Sequence, residues 1–205
     1  MKKRFKCAVA AFAALFISSA AFASDFDWSE CWCSFGGGIE KGDVIVNVGG
    51  GFSWDLLSVN PTDKNWFIPP VEASVEVPVM IWKLPFTFGG SAYYSASFKY
   101  YNNGEYKDLR DNIHNFAVAS LAKYHFHFPP KNLDVYAGLK LGVGFKITGY
   151  DVLNNKGEKV YKTGFGPYFF NSEFIGATWY FTDAFGLNAE FGYPIAFKVS
   201  ASFKF

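Results

Sequence analysis

His125 and His127 stand two residues apart, a spacing that turns both imidazoles to one face of a strand. Such a pair offers two metal ligands or a catalytic base. A hydrolase would also need a serine and a carboxylate at matching height, and no motif ties a serine to either histidine. The pair therefore reads as polar filling. Cys31 and Cys33 are separated by one residue. A disulfide between them would close a very small, strained ring, and a metal centre usually takes more ligands than two thiols. Gly36-Gly37-Gly38 lacks the Gly-Lys-Ser/Thr that completes a phosphate loop. No catalytic residue, metal site or cofactor is expected. The remaining candidates are charges that recur on the polar parity of alternating segments: Glu72, Glu76, Lys123, Lys140, Lys146, Glu190 and Lys198. Their chemistry is ion pairing, which requires a fold that turns them toward one interior.

The compartment is readable at the start of the chain. Lys2, Lys3, Arg4 and Lys6 precede an apolar run from Ala8 to Ala21, and Ala21-Phe22-Ala23 places small residues where a signal peptidase reads. Residues 1–23 are expected to be a signal peptide for export through the Sec pathway. The run is short for a spanning helix, which needs about 20 residues. Cleavage would leave fifteen basic against eighteen acidic residues, so no basic face for nucleic acid is expected. Aromatic residues make up 21% of the chain, the habit of a barrel with interfacial girdles.

Residues 24–42 show no sustained alternation and read as a periplasmic lead-in, folding partly into a barrel mouth. Residues 43–205 alternate with period two and read as eight strands. Val44, Val46, Val48 and Phe52 share one face of the first strand. Val71, Val75, Val77 and Val79 do so in the second, where Glu72 and Glu76 face in and Pro78 is expected to mark a bulge or the end of the strand. The third strand turns Phe86, Phe88, Tyr94 and Phe98 outward. The fourth leaves Lys123, His125 and His127 inside, and the fifth sets Val135 to Ile147 against Lys140 and Lys146. The sixth, within Gly164 to Phe181, is least regular, with breaks expected at Gly166-Pro167 and Asn171-Ser172. Leu187 to Tyr193 and Ile195 to Phe205 complete the set. Long polar connections at residues 54–67, 100–112 and 149–163 alternate with short ones, the up-and-down order of a membrane barrel. Trp54, Trp66, Phe67, Trp82, Tyr100, Tyr101, Trp179 and Tyr180 are expected in the girdles.

The last strand carries Val199, Ala201, Phe203 and the final Phe205 on one face. This row resembles the C-terminal signal by which outer-membrane barrels are recognised for insertion. Upstream, Gly176-Ala177-Thr178-Trp179-Tyr180-Phe181-Thr182-Asp183-Ala184-Phe185-Gly186-Leu187 resembles the penultimate hairpin of the small OmpA, OmpX and OmpW barrel superfamily. The resemblance implies an all-β, eight-stranded antiparallel transmembrane barrel in the outer membrane. Its partners would be outer-membrane lipids, the barrel-assembly machinery, and a host or surface ligand at the loops. No feature specifies self-association.

An eight-stranded barrel is only wide enough for its own side chains, so the inward charges must pair, and the lumen is expected to be plugged or very narrow. The function read from the resemblance is a narrow OmpW-like conduit for small apolar molecules, or a membrane-integrity role, with Phe169, Phe170 and Phe174 as an apolar path. The alternative is an OmpX-like surface protein acting through loops that carry Trp66, Tyr100, Tyr101, Tyr106, Arg110 and Tyr161. A lipid-modifying barrel enzyme is a third reading, and it lacks a site.

Overall fold

The structure, a computed structural model, describes residues 30–53, 64–101 and 109–205. The leader and Trp54, Tyr106 and their neighbours lie outside the described residues. A single 3-10 turn, Glu30–Trp32, precedes β1 (Ile45–Ser53), β2 (Lys64–Ile81), β3 (Leu84–Tyr100) and β4 (Arg110–His127). β5 (Leu133–Leu153), β6 (Lys159–Tyr180), β7 (Phe185–Tyr193) and β8 (Ile195–Lys204) follow. Each strand pairs antiparallel with the next, and β8 pairs with β1, so the sheet closes into a ring.

Parity does what the sequence requires. Asn47, Glu72, Glu76, Thr87, Lys123, His125, Asp134, Lys140, Asn188, Glu190 and Lys198 are buried inside. Val48, Val75, Val118, Leu141, Ile175 and Phe197 are exposed outside. This inverts the distribution of a soluble protein. A largely apolar exterior on a closed sheet, interrupted at Ser120, Asn171 and Glu173, suits hydrocarbon, where only helices and closed barrels satisfy every backbone group.

The strands differ greatly in length. β1, β7 and β8 hold nine, nine and ten residues, whereas β2 to β6 hold between 17 and 22. Nine to eleven tilted residues are the length that spans a bilayer, and β2 to β6 outrun β1, β7 and β8 and rise past their rim as a wall. The three long connections are consequently shorter than expected. Lys64 to Phe67 belong to β2, Arg110 to Asn112 to β4, and the β5–β6 hairpin stays paired out to Leu153 and Lys159.

Two expected breaks do not occur. β2 continues through Pro78, which pairs with Thr87. Past Glu76, β1 has no residue opposite β2, so the missing N–H of Pro78 costs no ladder bond. The irregularity falls instead between Ile68 and Val71, at Pro69-Pro70. β6 runs unbroken across Gly166-Pro167 and Asn171-Ser172.

Candidate functional site

The short-turn mouth is closed by the segment that precedes β1. Gly37 N–H donates to Leu133 O at 3.0 Å, the Tyr124 hydroxyl donates to Trp32 O at 2.7 Å, and His127 Nδ1 lies 3.0 Å from Phe35 O. Lys204 Nζ donates to Gly38 O. Ile39, Ile45 and Tyr180 form a buried cluster with Phe35 against it. Gly37 and Gly38 adopt positive φ (64° and 62°), which lets the chain fold back into the mouth. The lead-in expected at residues 24–42 is thus a cap over its described part. Tyr180 is 3% exposed and lies under that cap, not in a girdle, because it shares the inward parity of Thr178. Cys31 is buried within the cap and Cys33 is exposed, both as free thiols. Burial pushes the Cys31 thiol above its ordinary range.

Above the cap lies a continuous charged layer. Glu76 Oε1 accepts from Lys123 Nζ at 2.6 Å and from Asn47 Nδ2 at 2.7 Å. Its Oε2 accepts from Thr87 Oγ1 at 2.6 Å. Glu72 Oε1 accepts from Lys140 at 2.7 Å and Lys198 at 2.5 Å. Glu190 Oε2 accepts from Lys198 at 2.7 Å and Lys140 at 3.4 Å, and its Oε1 accepts from the Tyr136 hydroxyl at 3.0 Å. Lys123 also lies over the Tyr136 ring at 4.2 Å, and Lys140 over the Phe174 ring at 4.3 Å.

The histidine extends the network toward the cap. His125 Nδ1 is 2.8 Å from Asp134 Oδ1 and its Nε2 is 3.0 Å from Thr87 Oγ1. Three lysines thus face three glutamates, with His125 and Asp134 paired beside them. The order Asp134–His125–Thr87 resembles an orienter–base–nucleophile chain, but Thr87 is fully buried and its proton points to a carboxylate, so nothing can reach or be attacked by it. Among the described residues, no group of His, Cys, Asp and Glu could hold a metal ion.

Six of the seven expected lumen charges therefore meet in one network: Glu72, Glu76, Lys123, Lys140, Glu190 and Lys198. Lys146 does not join it. It faces inward nearer the long-loop end, where it is exposed to solvent and lines a cavity of about 310 Å³. The floor of that cavity is aromatic, with the Phe170 and Tyr93 rings stacked at 5.6 Å between centroids. Phe170 and Phe174 face inward as expected. Phe169 does not: it is 68% exposed on the outer surface, because an unbroken strand cannot turn two successive side chains the same way. An apolar path through Phe169, Phe170 and Phe174 does not form.

Sequence reasoning missed Thr87, Asp134, Tyr136, Asn47 and Asn188 as members of the network. Asp134 and Tyr136 share the parity of Lys140, which was the available signal. Glycines make room for the large rings inside: Gly176 stands opposite Tyr136, and a Cβ there would lie 2.7 Å from the ring. Gly138 stands opposite Phe174 in the same way.

No family model and no curated protein matches the chain. Two solved structures of Ail, the attachment invasion locus protein of Yersinia pestis, align with 81% of this chain and 100% of Ail. One of them is in complex with the heparin analogue sucrose octasulfate. Their identities are 9% and 8%, with TM-scores of 0.41 and 0.43. What the chain is follows from its own hydrogen bonds: an all-β, eight-stranded antiparallel up-and-down barrel with charge inside and an apolar surface outside.

Proposed function

We propose that this chain is an integral outer-membrane barrel with a sealed lumen, working at its long-loop face as a surface-docking protein and not as a conduit. The outward row Val199, Ala201, Phe203 and Phe205 would be read by the assembly machinery, after export directed by residues 1–23. The conduit reading needs a path through the midplane, and the paired charges occupy it. The observation that carries the docking reading is the wall. β7 pairs with β6 only from Glu173 to Tyr180. From Val160 to Ser172, β6 has β5 on one side and no strand on the other among the described residues. An open edge of this kind accepts an extended segment by adding a strand. Pro167 lies within it, as prolines in sheets do at edges. Tyr161 and Phe165 are exposed on the same stretch and offer apolar contact.

The test shortens the wall without touching the barrel. Residues 150–162 are replaced by a tight Asn-Gly turn, and adhesion of cells displaying the chain to a protein-coated surface is measured. Adhesion by the full chain and its loss in the shortened barrel, with heat-modifiable migration retained, is the expected result. Equal adhesion by both forms would remove the wall from the function.

A further inference from the structure

We infer that the cavity at the long-loop end is a binding pocket for a small planar carboxylate, with Lys146 as its charge anchor. Its occupant is a small molecule, so the inference stands apart from whatever docks along β6. The first argument is charge. Lys123, Lys140 and Lys198 each lie within 2.7 Å of a glutamate oxygen. Lys146, on the same parity of β5 as Lys140, has no acidic partner among the described residues, and no described carboxylate lines its cavity. A cation on the wall of a concave site with no counter-charge selects an anion.

The second argument is shape. A volume of about 310 Å³ lies at the small end of ligand pockets, which run from roughly 300 to 1,000 Å³. Phe170 and Tyr93 form a flat floor, and Tyr168 packs beside them. A planar body stacks on such a surface more readily than a bulky one. Below it, Ala117 and Ala119 pack on Phe170 and the ion-paired layer blocks onward passage, so the pocket is blind. The third argument is the polar complement. Asn115 and Ser95 are hydrogen-bonded to each other at 3.4 Å and supply a few fixed polar atoms, too few for a hydroxyl-rich sugar but enough to orient one ring substituent. Among the described residues the rim is lowest at β1, β7 and β8, and Ser53 and Pro194 at their ends line the cavity on its entrance side.

The probe is 2-naphthoate, two fused rings with one carboxylate, and its neutral counterpart is 2-naphthamide. Both are titrated by fluorescence into the refolded mature chain in lipid nanodiscs, against protein-free nanodiscs as baseline. We expect saturable 2-naphthoate binding that Lys146→Gln weakens about tenfold, the effect of losing one charge-assisted contact. Binding of 2-naphthamide should not change in that variant. Ser95→Phe, which fills the floor, should abolish both. Lys146 is exposed and outside the ion-paired layer, so its variant keeps the fold, and heat-modifiable migration checks each protein. The inference is overturned if 2-naphthoate does not saturate on the wild type. It is equally overturned if Lys146→Gln binds it as tightly, if that variant loses both probes alike, or if Ser95→Phe leaves binding intact.

Discussion

Glu190→Gln should lower the stability of the folded barrel by about 3–5 kcal/mol, the cost of removing one partner from a buried ion pair. Glu190 is the junction of the charged layer. It lies 2.7 Å from Lys198, 3.4 Å from Lys140 and 3.9 Å from Lys123, and it accepts from Tyr136. The amide keeps the shape and removes the charge, leaving the buried Lys123, Lys140 and Lys198 against only Glu72 and Glu76. Water cannot screen the excess, because Lys123, Lys140 and Lys198 are each 2–3% exposed. The double variant Glu190→Gln/Lys198→Gln restores the balance and should recover much of the loss. Urea unfolding in lipid vesicles, followed by tryptophan fluorescence, reads both. A single-variant loss below about 1 kcal/mol, the range of solvent-exposed pairs, would mean that the layer is hydrated.

The second large effect belongs to the cap. Deleting residues 30–42 removes the bonds from Gly37 to Leu133, Tyr124 to Trp32, His127 to Phe35 and Lys204 to Gly38, and it exposes Ile45 and Tyr180. At about 0.5–1.5 kcal/mol for each hydrogen bond and 1.5–3 for the burial of Ile39, the loss should be about 4 kcal/mol or more. The same deletion should leave ion conductance at zero, because the charged layer above the cap is untouched. Loss of stability without opening would separate the two seals. If the shortened barrel conducts, the cap is the seal and the charges are not.

Much of this was legible in the sequence, for a physical reason. A one-residue slip would turn every inward charge of a strand onto the apolar exterior, so parity is strongly specified wherever one face is apolar and the other charged. Glu72, Lys123, Lys140 and Lys198 could therefore be assigned to the interior from alternation alone. The signal fades where both faces are wet. Lys64 to Phe67, Tyr150 to Leu153 and Lys159 to Thr163 mix apolar and polar residues over too few positions to mark a buried face, so alternation does not show that they are paired strand. The prolines misled for a related reason: Pro78 and Pro167 sit where β2 and β6 lack a neighbour on one side, which only the register shows. Phe169 was grouped with Phe170 and Phe174 by residue type against its own parity. The cap was expected only as a lead-in. Its anchors, Leu133, Tyr124, His127 and Lys204, come from three distant strands, and no local pattern announces them.

Planar-bilayer conductance of the refolded mature chain, with heat-modifiable gel migration as the folding control, tests the sealed lumen most directly. The paired layer of Glu72, Glu76, Glu190, Lys123, Lys140 and Lys198 predicts a barrel that inserts and stays silent. Reproducible single-channel steps from the heat-modifiable form would contradict it and return the function to the lumen.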